Sequence, residues 1–125
     1  MNIAVVSDDG TTVGQHFGRA AYYCVVTVDH GEVTARELRP KAGHVNFTSR
    51  EISPDIKHRA MAEPLADCET LIAGGMGEGA VASLRSMGIT AVLTDETDVD
   101  QAALRHAAGE LPNLIDRVHR GRGRH

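Results

Sequence analysis

Apolar residues fall into short continuous runs in some stretches of this chain and at helical spacing in others, and the change of period outlines a fold. Asn2 to Ser7 is a compact apolar run that stops at the turn signal Asp8-Asp9-Gly10, which predicts a buried strand. Tyr22 to Val28 is rich in β-branched and aromatic residues and stops at Asp29-His30-Gly31. Glu32 to Leu38 then alternates Val33, Ala35 and Glu37 with Thr34, Arg36 and Leu38, so the two segments predict an antiparallel hairpin. Arg39 to Ser53 has little periodicity, contains Pro40, Gly43, His44 and Asn46, and reads as a long loop of the kind that is usually functional or disordered. Ser53-Pro54 opens a helix continued by Ile56, Ala60 and Ala66 and interrupted at Pro64. A strand at Glu69–Ala73, a helix from about Gly77 to Met87 stopped by Gly88, a strand at Thr90–Thr94 and a helix from Asp98 to Gly109 complete the chain.

The resulting order is β-β-β-α-β-α-β-α. Strands alternating with helices in the second half predict parallel crossovers, and the opening hairpin adds an antiparallel strand at 22–28 to the same sheet. At 125 residues the chain is sized for one domain, and its 42% hydrophobic and 24% charged content is ordinary for a globular protein. With two Tyr, two Phe and no Trp, the core is aliphatic, and stacking platforms for single-stranded nucleic acid are not expected. No apolar window is long enough to span a bilayer, and the first residues lack the features of a signal peptide, so a cytoplasmic location and no membrane partner are expected. Cys24 and Cys68 lie far apart inside apolar segments and read as buried free thiols rather than a disulfide.

The net charge of −4 is uneven. Arg117, Arg120, Arg122 and Arg124 stand without an acid among them, leaving nine basic and seventeen acidic groups, a charge of −8, in residues 1–116. We therefore read residues 1–112 as the domain and 113–125 as a mobile basic tail. Four arginines on an acidic domain argue against a nucleic-acid partner.

Candidate chemistry gathers at three loops that an open α/β sheet brings to the carboxyl ends of its parallel strands: Asp8 to Arg19, Gly74 to Gly79, and Asp95 to Asp98. Leu71-Ile72-Ala73-Gly74-Gly75-Met76-Gly77-Glu78-Gly79 runs from a strand through four glycines into a helix, where unpaired N–H groups and the positive end of the dipole favour an anion. It has neither the Lys-Ser/Thr of a P-loop nor the G-x-G-x-x-G register, so the anion is not named by the motif. A β-branched side chain at Gly77 is expected to block close approach and strain the turn. Gly14-Gln15-His16-Phe17-Gly18-Arg19 places an imidazole and a guanidinium three positions apart, which suits a soft metal and its negative charge, although His16 could equally tie the loop to itself. Met76 is either a cap on the core or a soft ligand. His44 lies in the polar loop. Asp8, Asp9 and Asp95 could hold divalent metals for a nuclease, or simply form turns and caps. The chain contains no recognisable nucleophile or acid–base pair, which points away from an enzyme.

Taken together, Ile3-Ala4-Val5-Val6, Gly14-Gln15-His16-Phe17-Gly18-Arg19-Ala20, Leu65-Ala66-Asp67-Cys68-Glu69-Thr70-Leu71-Ile72-Ala73-Gly74-Gly75-Met76-Gly77, Leu84, Gly88-Ile89 and Gly109-Glu110-Leu111 resemble the dinitrogenase iron-molybdenum cofactor biosynthesis family, the NifX-like carrier domain also fused to NifB. The resemblance covers roughly residues 1–112. It implies a ribonuclease-H-like three-layer α/β fold with a mixed five-stranded sheet, and non-catalytic binding of an iron-sulfur or molybdenum/iron-sulfur cluster. By position it implies His16 and His44 as metal ligands, with Arg19, Gly74, Gly75, Met76 and Gly77 around the cluster. The implied partners are metallocluster donor or acceptor proteins. A polyanionic cluster would be served by helix N–H groups, Arg19 and a replaceable imidazole better than by a closed cysteine cage. Two other readings remain: a regulatory or scaffold module that binds a protein partner through its tail, and a metal-dependent nuclease.

Overall fold

The computed structural model describes residues 1–17, 19–40 and 65–114. The elements are β1 (Asn2–Ser7), β2 (Tyr22–Asp29), β3 (Glu32–Pro40), β4 (Thr70–Ala73), α1 (Glu78–Ser86), β5 (Thr90–Leu93) and α2 (Val99–Ala107). The helix expected from Ser53 and most of the loop before it fall in 41–64, outside the described residues. So do His44 and residues 115–125 of the expected tail.

The five strands form one sheet in the order β3-β2-β1-β4-β5. β1 pairs antiparallel with β2 and parallel with β4, while β4 pairs parallel with β5 and β2 antiparallel with β3. Thus β2 alone runs against the other four, as the hairpin signal and the crossovers predicted. The hairpin closes at His30 and Gly31, with φ of 53° and 78°, the left-handed pair whose twist matches that of two antiparallel strands. β3 extends to Pro40, which stands opposite Tyr22, so Arg39 and Pro40 belong to the strand and not to the expected loop. A proline is tolerated there because it closes an edge strand.

Both faces of the sheet are covered, which is why β1 and β4 read as unbroken apolar runs. Ala4, Val6, Tyr23, Val25, Leu71, Ala73 and Leu93 form one core with Val81 and Leu84 of α1. Ile3, Val5, Cys24, Val26, Ile72 and Val92 form the other with Val99, Ala102 and Ala103 of α2. The period of two along each strand sends alternate residues to opposite helices, giving three layers.

The sheet's edges differ. β3 is mostly exposed, with Leu38 46% accessible. β5 is covered by the segment after α2: the Asn113 side chain donates to Ala91 O (3.2 Å) and accepts from Leu93 N (3.1 Å), and Leu114 N donates to Leu93 O at 2.9 Å. An amide side chain there satisfies strand groups that a neighbouring chain would otherwise pair with. Contacts to the sheet therefore continue through Leu114. No helix among the described residues is long and apolar enough to cross a membrane.

Candidate functional site at the carboxyl ends of the parallel strands

β1, β4 and β5 end together at Ser7, Ala73 and Leu93, and the three loops that follow are stitched to one another by backbone hydrogen bonds. Gly14 N donates to Val6 O (2.7 Å), Gly74 N to Gly14 O (2.8 Å) and Phe17 N to Gly75 O (2.9 Å), joining the first loop to the glycine turn. Val13 N donates to Thr97 O (2.8 Å) and Val99 N to Thr11 O (2.9 Å), joining it to the β5–α2 loop. Close approach explains Gly14, whose Cβ would stand 3.3 Å from Val6 O and 3.4 Å from Ala20 Cβ. Phe17 is 6% exposed and packs beside Tyr23, ring centroids 6.3 Å apart, which anchors the loop in the core. The convergence predicted for the three loops is what the fold builds.

The first loop encloses a cleft of about 350 Å³ whose lining includes Asp8, Asp9, Gln15, His16 and Arg19. The two acids in it have local work. The Asp9 carboxylate accepts from Thr11 N (2.9 Å) and Thr12 N (2.8 Å), and these backbone donors hold its pKa well below the usual carboxylate range. Asp8 accepts from Ala21 N at 3.0 Å. Both are turn formers, as their sequence context allowed. His16 and Arg19 are exposed, and among the described residues neither side chain has a hydrogen-bond or ion-pair partner. The other role open to His16, tying the loop together through its imidazole, is thus not the one seen among the described residues. Its carbonyl does that work, accepting from Arg19 N and Ala20 N at 3.1 Å each.

The glycine turn is not left-handed anywhere: the positive-φ glycines among the described residues are Gly10, Gly31, Gly88 and Gly109. Gly77 is the N-cap of α1 with φ −85° and ψ 166°, makes no side-chain cap bond, and has no atom of the described residues within 4 Å of where a Cβ would stand. A side chain at Gly77 therefore neither strains the turn nor meets another described residue, which corrects the strain expected from sequence. The N-cap residue itself gives the first N–H groups of α1 no side-chain acceptor, and Glu78 in the first turn answers part of the dipole. Gly74 has a different function, since its missing Cβ makes room for the Gln15 carboxamide.

Met76 is 2% exposed and belongs to the α1-side core, the packing role that stood beside the ligand role in the sequence. Cys24 and Cys68 are free and buried. Burial pushes both thiols up, Cys68 to about 12 with help from the neighbouring Asp67, so both are held as protonated thiols. In the β5–α2 loop, Asp98 caps α2 by accepting from Gln101 N at 2.8 Å, and Glu96 accepts from Thr97 N and Asp98 N at 3.1 Å each while pairing with Arg105. Both carboxylates serve the start of α2. Among the described residues no group of three or more His, Cys, Asp or Glu side chains is placed to hold a metal ion. Gln15 was not singled out by sequence, because nothing local distinguishes a glutamine in a loop from one seated on a distant glycine.

The fold and the cleft define a three-layer α/β domain with an open cleft at the ends of its parallel strands. The chain belongs to the dinitrogenase iron-molybdenum cofactor family, whose model matches residues 1–109. No protein of curated function matches the sequence. Among solved structures, the apo orange protein from Desulfovibrio gigas is 24% identical with a TM-score of 0.69, covering 90% of this chain and 91% of that one. A candidate dinitrogenase of Methanocaldococcus jannaschii is 18% identical with a TM-score of 0.64, covering 90% and 93%. A candidate NifB protein from Thermotoga is 21% identical with a TM-score of 0.62, covering 90% and 92%. At these identities the likeness is one of fold.

Proposed function

We propose that this protein binds and carries, without catalysing a reaction, an iron-sulfur or molybdenum/iron-sulfur cluster at the mouth formed by His16, Arg19 and the Gly74–Gly77 turn. The observation that carries the reading is the pair His16 and Arg19: exposed, without side-chain partners among the described residues, and lining one cleft that backbone bonds fix against the glycine turn. An imidazole offers one replaceable soft ligand and a guanidinium neutralises charge. Weak attachment of this kind suits a carrier, which must release its load to an acceptor protein. Membership of the family supports the same reading, and Asp8 and Asp9 at the mouth accept backbone N–H groups, the turn-forming role that stood against a nuclease. The ribonuclease-H-like designation, a cytoplasmic location, His44 as a second imidazole ligand, and cluster donor or acceptor proteins as partners belong to this proposal.

Anaerobic reconstitution with iron and sulfide, followed by charge-transfer absorbance, tests it. His16→Ala should lower cluster uptake with the fold intact, since a loop imidazole contributes little to the core. Arg19→Ala should weaken uptake in a way that shrinks as salt rises, because an exposed guanidinium acts through screened charge. Unchanged uptake in both variants would remove the mouth as the site.

A further inference from the structure

Gln15 immediately precedes His16, and its carboxamide lies over Gly74 of the glycine turn. A Cβ at Gly74 would meet Nε2 at 2.7 Å and both Cδ and Oε1 at 2.8 Å, separations that real atoms do not tolerate. The backbone of Gly74 does not itself call for glycine, since its φ is not in the left-handed region. Its one evident purpose among the described residues is to seat this side chain. The seat is rigid: Gly74 N is bonded to Gly14 O at 2.8 Å, and the neighbouring Gly75 O receives Phe17 N at 2.9 Å. Gln15 lines the same cleft as His16 and Arg19. Among the described residues its amide makes one long hydrogen bond, Nε2 to Val13 O at 3.4 Å. A primary amide has a second N–H and an acceptor oxygen to offer.

We infer that Gln15 is a ligand-binding residue of this mouth, held over Gly74 so that its amide N–H is ready for the anion that Arg19 attracts. Gly74 accordingly acts through Gln15 rather than by letting a ligand approach the backbone. The inference rests on the mouth reading above and adds to it a residue, a donor and a reason for one glycine.

The test is calorimetric titration of the intact chain with a soluble thiomolybdate anion, for the wild type and for Gln15→Ala, Gly74→Ala, the double variant, Gln15→Glu and Arg19→Ala. Loss of one hydrogen bond to a charged ligand should weaken binding about tenfold in Gln15→Ala. Gly74→Ala should weaken it by the same factor, because the new methyl displaces the amide, and the double variant should bind no more weakly than either single one. Melting temperatures should stay within about 3 °C, since the group displaced is the exposed end of a flexible side chain. Gln15→Glu keeps the shape but replaces the donor with a negative charge, so it should bind more weakly than Gln15→Ala. Wild-type binding in Gln15→Ala or Gln15→Glu, or multiplying losses in the double variant, would overturn the inference. If Arg19→Ala weakens binding while the Gln15 variants do not, the mouth reading stands and the role of Gln15 falls. If the wild type does not bind, both fall together.

Discussion

Four glycines in this small molecule do four different things. Gly10 supplies a left-handed φ of 85°, Gly14 lets Val6 O come within 3.3 Å of its Cβ position, Gly74 seats Gln15, and Gly77 leaves a helix start bare. The sequence shows the same letter each time. Gly77 offers the sharpest test, because its extended backbone suits any residue and no described residue stands where its side chain would begin. Gly77→Ser should supply the missing N-cap and reduce the freedom of the unfolded chain, stabilising the protein by about 0.5 kcal/mol in urea denaturation. The same hydroxyl would occupy an N–H group at the mouth, so cluster uptake should fall while stability rises. Uptake equal to the wild type with the stability gain present would show that the start of α1 takes no part in binding.

At the scale of elements, β3 is an edge strand whose side chains are tied down on both faces of the sheet. Arg36 pairs with Asp100 of α2, and Arg39 bridges Glu37 and Asp67, at 2.8 Å each. The hydrogen bonds from Arg39 bring Asp67 from its ordinary 3.8 down to about 2. A depressed carboxylate contributes stability that is present above its ordinary value and lost as pH falls through its folded value. Wild-type stability should therefore decline between about pH 4 and pH 2, and urea midpoints measured across that range should show a flatter acid limb in Asp67→Asn. With Asp67 half exposed, the loss at neutral pH should be below about 1 kcal/mol. Asp9 and Glu96, also held below the usual carboxylate range by backbone donors, leave part of the limb in place. An Asp67→Asn profile parallel to the wild type would show that the Arg39 pair is not what acid breaks.

For the whole molecule, one sheet shared by two apolar layers makes folding a single event: β4 sends Leu71 to the α1 side and Ile72 to the α2 side, so neither layer closes without the other. Leu71 is fully buried, and Leu71→Ala should cost about 3 kcal/mol. Tyrosine fluorescence, which reports Tyr22 and Tyr23 at the start of β2, and far-ultraviolet dichroism should lose their signals at the same urea concentration. Separate midpoints would show the two layers unfolding apart. The strands, the hairpin and the two described helices were all legible in the chain, because apolar period, turn residues and caps act over a few neighbouring positions. His16 and Arg19 were legible as chemistry for the same reason. The strand order, the extension of β3 to Pro40, the retreat of Met76 into the core and the seating of Gln15 on Gly74 were decided only in three dimensions. Each depends on which distant segment comes to lie alongside, as Gly14 meets Gly74 and Val13 meets Thr97, and such meetings are selected by the packing of the whole core rather than by any local run of residues.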